Sequence, residues 1–163
     1  MERWLAALAI YKDPRMLRIL LLGFSSSLPL LLTLSTLSSW LAAQGVSLTA
    51  IGLFALVGLP YSLKFVWSPA MDGLRLPWLS RRLGQRRGWA LLTQAGLVGS
   101  MLFLGFTDPV ENITLTAIAA LLVAFFSASQ DIVVDAYRVE ILEDREQAAG
   151  AAAIQVGYRL GML

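Results

Sequence analysis

The sequence predicts an all-α membrane protein with about five transmembrane helices. Three observations carry this. Hydrophobic residues make up 57% of the chain and charged residues 15%, against about 25% charged in a soluble domain. The mean hydropathy is +0.68. Four apolar stretches, 16–43, 50–71, 88–107 and 112–136, each reach the roughly 20 residues needed to cross a hydrocarbon core about 30 Å thick. The runs are continuous, whereas a membrane strand alternates and needs only about 9–11 residues. Helices also satisfy their own backbone in lipid.

Residues 1–15 precede the first stretch. Trp4, Leu5, Leu8 and Tyr11 recur at helical spacing beside Arg3, Lys12 and Arg15, which suits a short helix lying on the membrane surface as well as a frayed terminus. The segment lacks the apolar core of a secretory signal, and the first stretch is longer than such a core, so it reads as an uncleaved helix. That stretch is rich in hydroxyls: Ser25, Ser26, Ser27, Thr33, Ser35, Thr36, Ser38 and Ser39, with Pro29 in the middle. They suit a water-filled path, or backbone groups freed by the proline; close packing through small residues is the plainer alternative.

The second stretch contains Lys64. The third, Trp89–Phe106, has no charge and only Thr93 and Gln94 as notable polar groups. The fourth carries Asp131, with Asp135 at its edge. A fifth begins at Gln147 and runs to Leu163, with Arg159 inside it. Ala148–Ala153 and the Gly157/Gly161 pair read as surfaces for close helix packing. The chain thus reads as the front part, 16–163, of a larger helical bundle.

Charge placement sets the orientation. All of the 13 Lys and Arg residues except Lys64 and Arg159 precede or open the first stretch, lie between the second and third, or follow the fourth. The other two connections have none. The positive-inside rule then puts the N-terminus in the cytoplasm. Trp40, Trp67, Trp78 and Trp89 lie near stretch ends, as interfacial anchors do. Orientation explains these arginines better than phosphate binding, so nucleic acid is not an expected partner. The chain has no Cys and no His, which removes thiol chemistry, His-based catalysis and the usual zinc sites. No cofactor and no metal is expected. Proton handling falls to carboxylates.

Charge inside hydrocarbon is costly and marks candidate function. At 1.5 Å per residue, Lys64 lies about 21 Å and Asp131 about 27 Å from the outer face, both toward the cytoplasmic side. Arg159 lies about 18 Å in from the inner face, nearest the midplane. Its guanidinium fork suits an anionic carboxylate or phosphate, with Gln155 and Tyr158 as neighbours. Asp131 and Asp135 share a helix face, and like charges so placed disfavour joint ionisation. The plain alternatives are a surface pair of Asp135 with Arg138 and a Lys64 that snorkels to the interface.

Asp72 followed by Arg86-Arg87-Gly88 resembles the loop signature of the major facilitator superfamily, though the acid and the arginines stand further apart than in its compact form. Within that superfamily four runs resemble the AmpG-type muropeptide permeases: Leu22–Leu30 (LGFSSSLPL), Tyr61–Pro69 (YSLKFVWSP) with Asp72, Ser127–Ala136 (SASQDIVVDA) and Gly157–Leu163 (GYRLGML). The resemblance extends from about Pro14 onward. It implies a multi-pass protein of the bacterial inner membrane, in contact with the lipid bilayer. It implies import of an anionic anhydro-muropeptide with protons, serving peptidoglycan recycling and β-lactamase induction. It also implies that these helices are the N-terminal part of a six-helix half, with a C-terminal half outside this sequence, since alternating access needs both halves. On this resemblance Asp131 and Asp135 would couple protons, and Lys64, Gln130, Gln155, Tyr158 and Arg159 would bind substrate. Asp72, Arg86 and Arg87 would form a gating loop. The first, second, fourth and fifth helices would border the cavity. The acetyl-CoA transporters, which share a similar run around Lys64 and Pro69, are an alternative, as is a membrane sensor or assembly partner that moves nothing. An intramembrane enzyme is the least favoured class, because nucleophile motifs are absent.

Overall fold

The computed structural model describes residues 10–77 and 79–163. The surface helix expected over residues 1–15 falls mostly outside the described residues, as does the Trp78 anchor. Helices dominate, and no strand occurs among the described residues. The long elements are α1 (Pro14–Ala43), α2 (Leu48–Val66), α5 (Gln85–Gly105), α6 (Ile113–Ile141) and α7 (Gln147–Gly161). Short helices α3 (Ser68–Gly73) and α4 (Leu79–Leu83) fill the connection between α2 and α5. Four of these, α1, α2, α5 and α6, are long and apolar enough to cross a membrane. The chain is an all-α membrane protein.

The second apolar stretch, read as 50–71, is divided. α2 alternates between α and 3₁₀ turns and ends at Val66, and α3 restarts at Ser68 with Pro69 in its first turn. A proline there needs no N–H partner and breaks the preceding turn. The fourth stretch runs on past 136 to Ile141, which puts Asp135 and Arg138 on the helix rather than beyond it.

Particular residues account for several boundaries. α1 ends at Ala43, two residues before Gly45, whose φ of 77° suits glycine. Gly45 and Val46 donate to the carbonyls of Ala42 and Leu41, the paired bonds that close a helix C-terminus. Ser47 caps α2 by accepting from the Ala50 amide at 3.3 Å. Asn112 caps α6 by accepting from the Leu115 amide at 2.9 Å.

The chain forms two compact units. One comprises residues up to Leu28 together with Val134–Leu163. Its apolar core is Met16, Ile19, Leu142 and Ala153. Here α1 and α7 meet backbone to backbone. A Cβ on Gly23 would overlap the Ile154 carbonyl oxygen, and one on Gly157 would overlap that of Leu20. Gly161 is similarly closed in by the Ser27 hydroxyl and the Phe24 carbonyl. The small residues therefore serve the close approach expected of them.

The other unit is Pro29–Val133. Its main core joins Leu37 and Leu41 of α1, Phe54 and Val57 of α2, Leu97 and Leu104 of α5, and Ala119, Ala120, Val123 and Ala124 of α6. A smaller cluster places Met71 with Ile132 and Val133, flanked by Trp67 and Trp89. Gly96 lets the Phe126 ring lie against α5. Buried hydroxyls on α5 bond back to their own helix: Thr93 to the Trp89 and Ala90 carbonyls, Ser100 to that of Leu97.

Candidate functional site

In the Pro29–Val133 unit, the polar residues collect where α1, α2 and α6 contribute to one core. Ser127, Ser129 and Gln130 are buried on α6, and Asp131 is half-buried. Ser127, Gln130 and Asp131 are spaced three and four apart, so they share a helix face. The Tyr61 hydroxyl of α2 is enclosed beside the hydroxyls of Ser127 and Thr33 but makes no hydrogen bond of normal geometry. Gln130 is only 6% exposed, and its amide oxygen has no partner. Unmatched buried polar atoms typically cost about 1–3 kcal/mol each. Trp67 is better matched: its indole donates to Ser129 Oγ at 3.1 Å, and Ser129 donates to the Phe125 carbonyl at 2.8 Å. Lys64 is half-buried in the last 3₁₀ turn of α2.

The loop of the same unit brings Asp72 and Arg86 together. Arg86 donates to the Asp72 carboxylate at 2.5 Å, and the Gln85 amide donates to the Asp72 carbonyl at 2.5 Å. Trp89 ties the next turn down by donating to the Leu74 carbonyl at 3.0 Å. The Asp72 side chain is 52% exposed, so this pair is of the surface kind, worth about 0.2–1 kcal/mol. Arg87 is exposed and is not part of that contact.

In the other unit, Asp135 is exposed on α6 and Tyr158 is half-buried on α7. Gln155 and Arg159 lie one turn apart on the exposed side of α7. They line a shallow groove of about 390 Å³ with Ala152, Val156, Leu160 and Leu163. This face is turned from the glycines that meet α1. Arg138 donates to the Gln147 side chain at 3.4 Å; this, rather than the alternative surface pair with Asp135, is the contact the structure gives it. Gln147 also caps α6 by donating to the Val139 and Leu142 carbonyls, so its side chain holds both Arg138 and the helix end.

A polar cluster that the residue pattern does not announce sits at the start of α1. Arg15 donates to Asp13 through Nε at 2.9 Å and Nη2 at 2.7 Å, to Glu146 at 3.1 Å, and to the Ile141 carbonyl at 2.9 Å. Ile141 ends α6, where carbonyls lack intrahelical partners and a cation is favoured. Glu146 is 8% exposed; it accepts from the Glu143 amide in a reciprocal cap of the turn before α7. The Arg15 hydrogen bonds, from side chain and then amide, hold the Asp13 carboxyl below its ordinary value. The available signal is the Glu143-x-x-Glu146 spacing, the form of a capping box. Among the described residues no group of three or more His, Cys, Asp or Glu stands ready to hold a metal.

Membrane-spanning helices that bury an amide and several hydroxyls beside a half-buried carboxylate define a polytopic helical membrane protein. The family model described as Acetyl-coenzyme A transporter 1 matches residues 16–163, and the chain belongs to that family. It is 46% identical over 156 residues to the Anhydromuropeptide permease of Escherichia coli (strain K12), covering 96% of this chain and 31% of that protein. It is 39% identical over 155 residues to Putative transporter AmpG 3 of Rickettsia prowazekii, covering 94% and 37%. It is 38% identical over 144 residues to Putative transporter AmpG 1 of Rickettsia bellii, covering 88% and 35%. The chain spans about a third of the length of these relatives. No solved structure matches it.

Proposed function

We propose that this chain belongs to a proton-driven carrier that imports anhydro-muropeptides across the bacterial inner membrane for peptidoglycan recycling and β-lactamase induction. The observation that carries this reading is the 46% identity over 96% of the chain to a protein named for that permease activity. It is a carrier rather than an enzyme. The N-terminus faces the cytoplasm, by the arginine distribution, and a second set of helices in the longer protein supplies the facing half.

In this reading Asp131 is the main proton-coupling group, held half-buried on α6, and Asp135, one turn on, is its exposed neighbour. Gln130 offers an unmatched amide oxygen on the same turn as Asp131. Arg159 and Gln155, on the open face of α7, meet the anionic part of the substrate, with Tyr158 and Lys64 as further contacts. A guanidinium fork fits a carboxylate in two-point fashion, and an exposed arginine on an apolar helix requires a wet or charged counterpart. The Asp72–Arg86 pair, with Arg87 beside it, latches the loop between α2 and α5 and breaks as the carrier turns over.

The family model's own description favours a second reading, transport of acetyl-CoA. That substrate is also anionic, so Arg159 serves either. The deciding experiment uses the full-length protein in right-side-out vesicles with an imposed acid-outside gradient. Uptake of labelled anhydro-muropeptide is compared with uptake of acetyl-CoA. The expected result is gradient-dependent muropeptide uptake that Asp131→Asn reduces about a hundredfold, the loss of roughly 2.7 kcal/mol of coupling. Uptake of acetyl-CoA alone would replace the substrate; uptake of neither would favour a sensor. Unchanged uptake by the variant would remove Asp131 from the coupling role.

A further inference from the structure

α1 is not a uniform helix. Pro29 has no N–H and cannot bond to the carbonyl four residues before it. Three residues on, the helix widens into a π turn, Leu32–Thr36, closed by the Leu37 amide donating to the Leu32 carbonyl five residues back. One hydroxyl lies within the turn and another just after it. Thr33 donates to the Pro29 carbonyl at 2.9 Å and lies within 3.1 Å of that of Leu30. Ser38 donates to the Leu34 carbonyl at 2.8 Å. Thr33 is 2% exposed, so its hydroxyl depends on these carbonyls rather than on water. Back-bonding of this kind bends helices, and single π turns inside α-helices occur often at functional sites.

A π turn holds one residue more than an α turn. Closing it shifts the register of the C-terminal part of α1 by one residue, a rotation of about 100° at 3.6 residues per turn. Ser35 and Thr36 at the end of the turn and Ser39 just beyond it are all exposed, a hydroxyl face on an otherwise apolar helix. On the N-terminal side of the turn, Gly23 is fixed against the Ile154 backbone. One part of α1 is therefore held by backbone contact, while the part after the turn is held by side chains, Leu37 and Leu41 among them.

We propose that residues 29–36 are a register switch in α1, set by the Thr33 hydroxyl, which rotates the Ser35/Thr36/Ser39 face during the transport cycle. The proposal rests on the carrier reading.

The test uses the full-length protein in lipid nanodiscs and two readouts. Amide hydrogen exchange compares residues 29–37 with residues 16–27 of the same helix. Exchange at least about tenfold faster in 29–37 is expected, as for a locally opening element; equal protection overturns the switch. Thr33→Val keeps the shape and removes the hydroxyl, and Thr33→Ser keeps the hydroxyl. Thr33→Val should lower the maximal uptake rate about tenfold with KM unchanged, and Thr33→Ser should restore it. A raised KM at unchanged rate would make Thr33 a substrate contact instead, and no change in either would overturn its role. If the unaltered protein moves no substrate, the carrier reading fails, while the exchange pattern still decides whether the turn opens.

Discussion

The two units are held by different chemistry. In the unit of α1's first turns, the end of α6 and α7, helices meet through glycines, with carbonyl oxygens where a Cβ would stand. Arg15 and Gln147 close the helix ends with side-chain caps. In the unit from Pro29 to Val133, side chains interdigitate: Leu41 and Val123 are fully buried, and Phe126 occupies the space above Gly96. Both units hold buried polar atoms without a matched partner: Ser26 Oγ and Arg138 Nε in the first, the Tyr61 hydroxyl and the Gln130 amide oxygen in the second. Lipid supplies little driving force for helix association, so backbone proximity, packing and polar contacts must do it. One unit adds backbone proximity and side-chain caps to its packing. The other relies chiefly on interlocking side chains.

The contrast breaks most visibly at Leu41, which is 0% exposed. Leu41→Ala should cost about 2–4 kcal/mol through lost packing and the cavity left behind, read as a lowered midpoint in denaturing-detergent titration. A loss below about 1 kcal/mol would mean that the interdigitated core repacks freely and that the two units do not differ as described.

Glycine offers the next sharpest comparison, because the same substitution should change sign with position. Gly157→Ala pushes a methyl onto the Leu20 carbonyl and should cost about 1–3 kcal/mol. Gly99, on α5, has nothing within 4 Å of a built Cβ. Gly99→Ala should be neutral or stabilise by up to about 1 kcal/mol, since alanine is the better helix former. Equal effects would refute a seam specific to α1 and α7.

The legibility of these features in the sequence differs residue by residue. The all-α membrane class follows from hydropathy alone. The packing role of Gly157 and Gly161 is visible because small residues four apart on an apolar helix have few other uses. The meeting of Asp72 with Arg86 is suggested by the resemblance, not by spacing, since the two are fourteen residues apart. The division of the second stretch at Trp67 escapes a reading by hydropathy, although Pro69 marks it; hydropathy does not register a missing N–H. The π turn leaves no mark at all. Hydroxyls on α1 are visible, but whether Thr33 faces a cavity or its own backbone depends on a register that no local pattern fixes. The Arg15 cluster is hidden for a related reason. It joins residues 126 and 131 positions apart, and contacts of that range are set by helix packing, not by neighbours in sequence.

That cluster also yields the smallest and most local test. Arg15 holds Asp13 in its charged form, so the folded-state pKa of Asp13 lies below its ordinary value of 3.8. A carboxyl depressed on folding stabilises the folded state above the unfolded pKa, and the contribution fades as pH falls through the folded one. Between about pH 5 and the acid side of 3.8, the unaltered protein should therefore lose stability that Asp13→Asn lacks from the outset. The two pH profiles, measured by thermal unfolding in one detergent, should converge as the pH falls. Profiles that stay parallel through this range would mean that the Arg15 contact does not persist in solution. The Ile141 carbonyl would then be capped by water, and the grip on the end of α6 would rest on Gln147 alone.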